Sequence, residues 1–126
     1  PAISIFLSGY TDGNSLKKSR ELGGYFETLV YLHLRALCEL MTPRANIYYW
    51  RTSTRREVDF VLEQGRRVLP VEVKLTGRPM IADIENLLAF LEEHSHATHG
   101  VLVHGGHELF RLHTKVIAIP WWWLNG

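Results

Sequence analysis

The sequence predicts an α/β domain in which a central mixed β-sheet is flanked by helices. A long stretch with apolar residues at helical spacing comes first. Three short runs rich in β-branched and aromatic residues follow, joined by tight polar turns. A second helical stretch then leads into a return strand. This strand–helix–strand order favours a right-handed crossover, which makes the return strand parallel to the strand before the helix.

Length and composition are those of one globular domain. The 126 residues are enough for one hydrophobic core but not for two. Apolar residues make up 46% of the chain and charged residues 21%, as in ordinary globular proteins. The net charge of +1 gives no overall basicity that would indicate a nucleic-acid partner. Because the chain opens on Pro1 without an initiating Met, we expect it to be a fragment of a longer protein or a processed product.

Cysteine usage and hydropathy predict a cytoplasmic location. Cys38 is the one cysteine, so no disulfide can form within the chain, and a reducing compartment is the simplest. The first residues, 1–9, lack the basic leader of a signal peptide. No segment reaches the roughly 18 consecutive apolar residues of a membrane span, so no membrane contact is expected.

The first clear element is a long helix. Residues 1–14 are a lead-in without a clear assignment. Asn14 or Ser15 can cap a helix that runs to about Met41. Its apolar stripe is wide, so we expect the helix to pack deep in the domain. Glu27 lies in its middle, either on a narrow solvent-facing side or pointing towards a functional site.

The rest of the chain predicts a three-stranded meander, a surface helix and three further extended segments. The helix covers Ile81–Glu93, with acids opposite its apolar residues. Within the second strand, Val58 and Phe60 are expected on one face and Asp59 on the other. The strands are expected at Asn46–Arg51, Glu57–Glu63, Arg67–Lys74, Gly100–His104, Leu109–His113 and Lys115–Pro120.

Two acids and a lysine meet in the meander. Residues i and i+2 of a strand share a face, so Glu72 and Lys74 stand side by side while Val73 faces the other way. If the hairpin sets Asp59 beside Glu72, the group can hold a divalent cation together with a phosphate oxygen. The alternative is structural, a salt bridge of Lys74 with one of the two acids, and such pairs are common.

The chemistry assigns a role to each group. Asp59 and Glu72 are the expected ligands of Mg²⁺ or Mn²⁺, with the Val73 carbonyl as a further ligand. Lys74 would orient the attacking water or neutralise charge on the phosphoryl group. Glu27 would hold a metal-bound water or a second ion.

Arginines cluster in the same stretch. Arg51, Arg55 and Arg56 lie around the first turn of the meander, and Arg66 and Arg67 around the second. Local basicity beside carboxylates suits a polyanion, so we expect the first three to contact the backbone phosphates of such a partner. The alternative is a set of solvated hairpin arginines.

Two other groups carry weaker signals. The spacing of His94, His96 and His99 fits no zinc pattern and favours a polar loop. The three adjacent tryptophans, Trp121–Trp123, cannot all face one core, so at least one is expected to be exposed or to cover a partner surface. One interpretation of the chain is therefore that this tail mediates self-association and that the charged residues of the meander have only a structural role.

The order of these motifs resembles the PD-(D/E)xK nuclease superfamily. More closely, the chain is similar to the uncharacterised C-terminal domain that follows an AAA+ ATPase module in many bacterial and archaeal proteins. The resemblance covers roughly residues 23–120. The motifs that carry it are Gly23-x-x-Phe26-Glu27, Tyr49-x-Arg51, Glu57-Val58-Asp59-Phe60 and Val71-Glu72-Val73-Lys74.

The resemblance implies a restriction-endonuclease-like α-β-β-β-α-β core with the site at the centre of the sheet. By position, Glu27, Asp59, Glu72 and Lys74 each match the functional residues of the superfamily. The implied activity is Mg²⁺-dependent hydrolysis of DNA phosphodiester bonds, in a domain accessory to an ATPase. The alternative on the same fold is a DNA- or protein-binding module that does not cleave.

Overall fold

The computed structural model describes residues 16–125, with side chains described over residues 20–124. The expected lead-in and helix cap, at residues 1–15, lie outside this range. The observed order is α-β-β-β-α-β followed by two more strands, which confirms the predicted α/β class. The elements are α1 (Leu16–Leu40), β1 (Asn46–Arg51), β2 (Glu57–Gln64), β3 (Arg67–Lys74), α2 (Glu85–Glu93, after a 3₁₀ turn at Ile81–Ile84), β4 (Gly100–His104), β5 (Phe110–His113), β6 (Val116–Pro120) and a 3₁₀ turn at Trp121–Asn125.

The six strands form one mixed sheet in the order β1-β2-β3-β4-β6-β5. β1, β2 and β3 are an antiparallel meander, as the polar turns predicted. β4 returns parallel to β3 after the α2 crossover, which confirms the expected topology. β6 lies parallel to β4, and β5 closes the far edge antiparallel to β6. Within the sheet of the described residues, β3 is therefore an inner strand, whereas β1 is an edge.

Hydrophobic side chains cover both faces of the sheet. Large buried side chains of this kind contribute about 1.5–3 kcal/mol each. One cluster lies between α1 and the sheet: Phe26, Val30, Leu34, Phe60, Val71, Val103 and Trp121. The other lies under α2 and its 3₁₀ turn: Val58, Val61, Ile84, Leu87, Phe90, Leu91 and Leu102.

The expectation that α1 packs deep in the domain is wrong. Its buried positions step by four residues along one stripe, for example Phe26, Val30 and Leu34. Leu32 and Leu40 lie outside that stripe and are 55% and 81% exposed. A sheet on one side of a helix covers one face of it, so the broad apolar stripe exceeds the surface available for burial. Within residues 16–125, no helix combines the length and apolarity of a bilayer-crossing segment.

β2 contains a bulge where strict alternation was expected. Between two successive β1–β2 pairs, β1 advances two residues and β2 advances three. Val58 consequently packs in the α2 cluster and Phe60 in the α1 cluster, although regular alternation would put both on one face. The prediction that they share a face is therefore wrong. Asp59 lies between them, at the point where the bulge redirects the strand.

The loop after β3 and the turn after β4 are locked together. The Gly105 N–H donates to the Thr76 carbonyl at 3.0 Å. The Gly106 N–H donates to Nδ1 of His104 at 3.0 Å, and Nε2 of His104 donates to the Glu108 carbonyl at 2.9 Å. His104 is fully buried, and burial lowers the pKa of its ring. A neutral histidine thus fixes the backbone at the end of β4, beside the end of β3.

Gly106 has no room for a side chain, because a Cβ there would overlap the carbonyl oxygen of Gly77. We expect Gly106→Ala to lower the free energy of unfolding by about 1–3 kcal/mol, since the backbone must shift and weaken the bond to His104. Gly77→Ala is the matched control: a Cβ at Gly77 meets nothing within 4 Å. Urea unfolding of both variants measures the difference. Equal stability of the two would contradict this account of the turn.

Candidate active site

Asp59 and Glu72 lie in contact between two neighbouring strands. The β2–β3 pairing ends at Phe60 and Val71. Beyond it, Oδ2 of Asp59 accepts a hydrogen bond of 2.7 Å from the backbone N–H of Val73. Glu72 is 5% exposed, and the neighbouring Asp59 carboxyl raises its pKa both through a hydrogen bond and through its charge. The hairpin thus brings the two acids together, as the sequence predicted, and the β3 backbone fixes one of them.

The environment of Glu72 favours its protonated form. Burial raises the pKa of Glu72 most, followed by the hydrogen bond to Asp59 and the negative charge of Asp59. The positive charge of Lys74 lowers it, and the resulting pKa is about 10. Burial and the neighbouring Asp59 therefore favour a protonated Glu72 at neutral pH.

Lys74 lies next to this pair without forming an ion pair with it. Among the side chains described, the ion pairs are Arg35–Glu39, Arg44–Glu39 and Arg51–Glu57. The expected alternative, a salt bridge of Lys74 with Asp59 or Glu72, is therefore not formed. Lys74 is exposed at the end of β3 and still acts on Glu72 through its charge. Its ammonium is therefore open to solvent and within electrostatic range of Glu72.

Glu27 faces the same region from α1. Its side chain is exposed, yet partial burial and the charges of Asp59 and Glu57 raise the pKa of its carboxyl. Glu57 was not assigned a role from the sequence. Its charge raises the pKa of both Glu27 and Glu72, which makes it a fourth acid of the site. Its position two residues before Asp59, in the same strand, was the signal available.

The three arginines have different positions. Arg51 pairs with Glu57 through Nε and Oε2 at 3.2 Å, and its guanidinium lies 5.5 Å from the ring centroid of Tyr49. Arg55 and Arg56 are exposed in the β1–β2 turn, where Arg55 adopts a left-handed backbone with φ 66°. The structure therefore places Arg51 with the acids and the other two in the adjoining turn.

A cleft connects the acids to the edge of the sheet. Its volume is about 490 Å³, and its walls come from α1, β1 and β2. Glu27, Asp59, Tyr49 and Arg51 are among the residues that line it. Glu72 is linked to the cleft through its hydrogen bond with Asp59. A ligand in this cleft would contact carboxylates and aromatic rings together.

The donor set fits a hard divalent cation. Across residues 16–125, no three His, Cys, Asp or Glu side chains are grouped closely enough to form a complete metal cage. Mg²⁺ commonly uses one or two carboxylates and completes its shell with water, and Asp59 together with a deprotonated Glu72 would meet that need. Val73 enters the site through its N–H to Asp59. Its carbonyl as a ligand stays a prediction.

Comparison with known proteins gives a family and uncharacterised relatives. Residues 22–124 match the model of a family described as a domain of unknown function, DUF4143. Uncharacterized proteins from Mycobacterium bovis and Mycobacterium tuberculosis are each 31% identical to this chain over 115 residues. The match covers 90% of the chain and 24% of each relative, so the chain spans about a quarter of their length.

The buried carboxyl should cost stability as the pH rises. Above the ordinary value of 4.5 the unfolded chain releases the Glu72 proton, whereas the native state keeps it up to a pKa of about 10. Native stability therefore falls with rising pH in this window. Glu72→Gln retains a donor towards Asp59 and does not titrate. We expect it to be more stable than the wild type by about 1–2 kcal/mol at pH 8, with a smaller gap at pH 5.

Urea unfolding in a metal chelator at both pH values measures this gap. Glu92→Gln, at an exposed position of α2, is the control and should match the wild type at both. If the wild type has the same free energy of unfolding as Glu72→Gln at pH 8, the acidic pair does not destabilise the native state.

Proposed function

This chain belongs to the DUF4143 family, whose description leaves its function open, and we propose that it is a divalent-metal-dependent nuclease domain that hydrolyses DNA phosphodiester bonds. The observation that carries the proposal is the buried Glu72 carboxyl bonded to Asp59. A buried acidic pair is unfavourable unless a cation or a proton neutralises it. The motif order of the PD-(D/E)xK nucleases gives the second support.

In this proposal, Asp59 and Glu72 hold Mg²⁺ or Mn²⁺, with the Val73 carbonyl as a further ligand. Such an ion, when bound, lowers the pKa of a water molecule and stabilises charge on the phosphoryl oxygens. The Val73 N–H keeps the Asp59 carboxylate in one orientation. Glu72 has to release its proton to bind, so metal affinity should rise with pH.

The remaining groups of the site act on the substrate. The Lys74 ammonium, which has no acidic partner in the described structure, can neutralise charge growing on the phosphoryl group. Glu27 lies close enough to Asp59 to sense its charge and can hold a water molecule. Arg51, Arg55 and Arg56 would contact backbone phosphates. The Arg51–Glu57 pair is exposed and such pairs are weak, so a phosphate can compete for Arg51.

The proposal extends to the longer protein. The matched segment is 24% of each curated relative. In such a protein, this domain would be accessory to an AAA+ ATPase module in the cytoplasm, as the resemblance implies. At the end of the chain, Trp121 is buried, whereas Trp122 and Trp123 are exposed as expected for at least one of the three. Self-association through these two rings is a further part of the proposal.

Cleavage assays test the activity. We expect the wild type to cleave DNA with Mg²⁺ or Mn²⁺ and not in a chelator. Asp59→Ala and Lys74→Ala should each lower the rate at least about 100-fold, because each removes a group that stabilises the transition state. Glu92→Ala, on the exposed side of α2, is the control and should cleave like the wild type. The measurement is a metal titration on a mixture of duplex, branched and single-stranded DNA.

The negative outcomes separate the alternatives. Cleavage that survives Asp59→Ala would rule out this site. No cleavage, with calorimetry that detects no bound metal, would favour a binding module that does not cleave. Metal binding that depends on Asp59, without cleavage of DNA, would contradict the proposed substrate and direct the assay to other phosphodiesters.

A further inference from the structure

β1 presents aromatic side chains at the edge of the sheet. Tyr48, Tyr49 and Trp50 are consecutive, and β1 has a neighbour on one side within the described sheet. Trp50 packs inwards, edge to face against Phe90, with ring centroids 5.3 Å apart. Tyr49 is 72% exposed. An exposed aromatic ring on an edge strand is an aggregation liability, so its place beside the acidic site calls for a functional account.

The two tyrosines differ in what holds them. The Tyr48 hydroxyl donates to Oε1 of Glu63 at 3.2 Å, which ties the ring to β2. The Arg51 guanidinium lies over the Tyr49 ring, 5.5 Å from the ring centroid, while the ring itself stays 72% exposed. Arg51 in turn is held by Glu57, two residues before Asp59. Tyr49 is therefore an exposed ring with a cation over it, and it lines the same cleft as Glu27 and Asp59.

This combination matches one ligand chemistry. An unpaired base offers a flat π-face to an aromatic ring, and such stacking tolerates any sequence. The adjoining phosphate is an anion for which a guanidinium is a suitable partner. Bases in a duplex have their faces covered by neighbouring pairs, so a ring can reach them only after extrusion. A cleft of about 490 Å³ lies within the usual range for small-ligand pockets and has room for one nucleotide.

We propose that the cleft binds single-stranded DNA, with one unpaired base stacked on Tyr49 and the adjoining phosphate on Arg51. The strand then continues along the cleft towards Asp59. This inference rests on the proposed function, because it takes the carboxylates as the place where the strand is cut. It adds the class of substrate, an unpaired strand, and a residue that selects it.

Binding experiments in a chelator test stacking without cleavage. The probes are a labelled single strand of about 12 nucleotides, the matching duplex, and the same strand with abasic sugars in place of its bases. By fluorescence anisotropy, we expect the wild type to bind the single strand about tenfold more tightly than either other probe. Tyr49→Ala should lose about tenfold on the single strand and change little on the abasic strand. This difference between the two strands would show that the gain in affinity requires both the base and the Tyr49 ring.

Two variants control for changes in the fold. Tyr49→Phe keeps the ring and should bind like the wild type. Leu40→Ala removes an exposed apolar side chain at the end of α1, outside the cleft lining, and should leave all three affinities unchanged. Thermal melts of each variant show whether a loss of binding is a loss of folding. If Tyr49→Ala is unstable, Tyr49→Leu gives a second variant without a ring, with the same expected loss.

The outcomes distinguish this inference from the proposed function. A wild type that prefers the duplex, or an equal effect of Tyr49→Ala on all three probes, would overturn the inference. Metal-dependent cleavage that requires Asp59 would still leave the nuclease proposal standing. Conversely, the protein could bind the single strand through Tyr49 and yet fail to cleave DNA with any metal ion. That result would support the stacking site and overturn the nuclease proposal. A wild type that binds none of the probes would overturn the stacking site.

Discussion

The contact between Asp59 and Glu72 is the constraint on which the rest of the site depends. Burial and the neighbouring Asp59 raise the pKa of Glu72, so the site favours a proton or a bound cation at this carboxyl. The fold maintains this contact with rigid parts. Glu72 lies on an inner strand, the β2 bulge redirects the chain at Asp59, and the Val73 N–H fixes the Asp59 carboxylate. A site built from strands is held more precisely than one built from loops, and here the backbone itself supplies a contact.

The neighbourhood of β3 also explains why this contact persists. β3 continues into a loop that is tied to the turn after β4 through Thr76 and Gly105. His104, neutral and buried, fixes that turn from within. The end of β3, where Lys74 stands, is therefore anchored on the side away from the cleft. Unfavourable burial of an acid can be tolerated where the surrounding backbone is determined by other interactions.

Regular periodicity made much of the fold and of the site predictable from the sequence. Alternation along β3 separated Glu72 and Lys74 from Val71 and Val73, and both valines do pack in the α1 cluster. The bulge at Asp59 could not be predicted in this way, because it depends on how β1 pairs with β2 and not on β2 alone. The apolar periodicity of α1 predicted that the segment is helical. It did not predict which of its side chains are buried, since burial depends on what covers each face. Glu57 went unassigned because its influence is electrostatic and needs the three-dimensional distances to Glu27 and Glu72.

The position of the cleft links the two functional proposals physically. The cleft is lined by acids of α1 and β2 and by aromatic side chains of β1, which has a neighbour on one side within the described sheet. A catalytic group needs fixed geometry, whereas the grip on a flexible strand gains from rings and guanidinium groups that tolerate different sequences. The Arg51–Glu57 pair connects the acids with the aromatic side chains. The charge of Glu57 raises the pKa of Glu72, and Arg51 lies over the Tyr49 ring. A phosphate that draws Arg51 away from Glu57 would leave Glu57 uncompensated near Glu72. The added negative charge would raise the affinity of the site for a cation. Strand binding and metal binding would then favour each other.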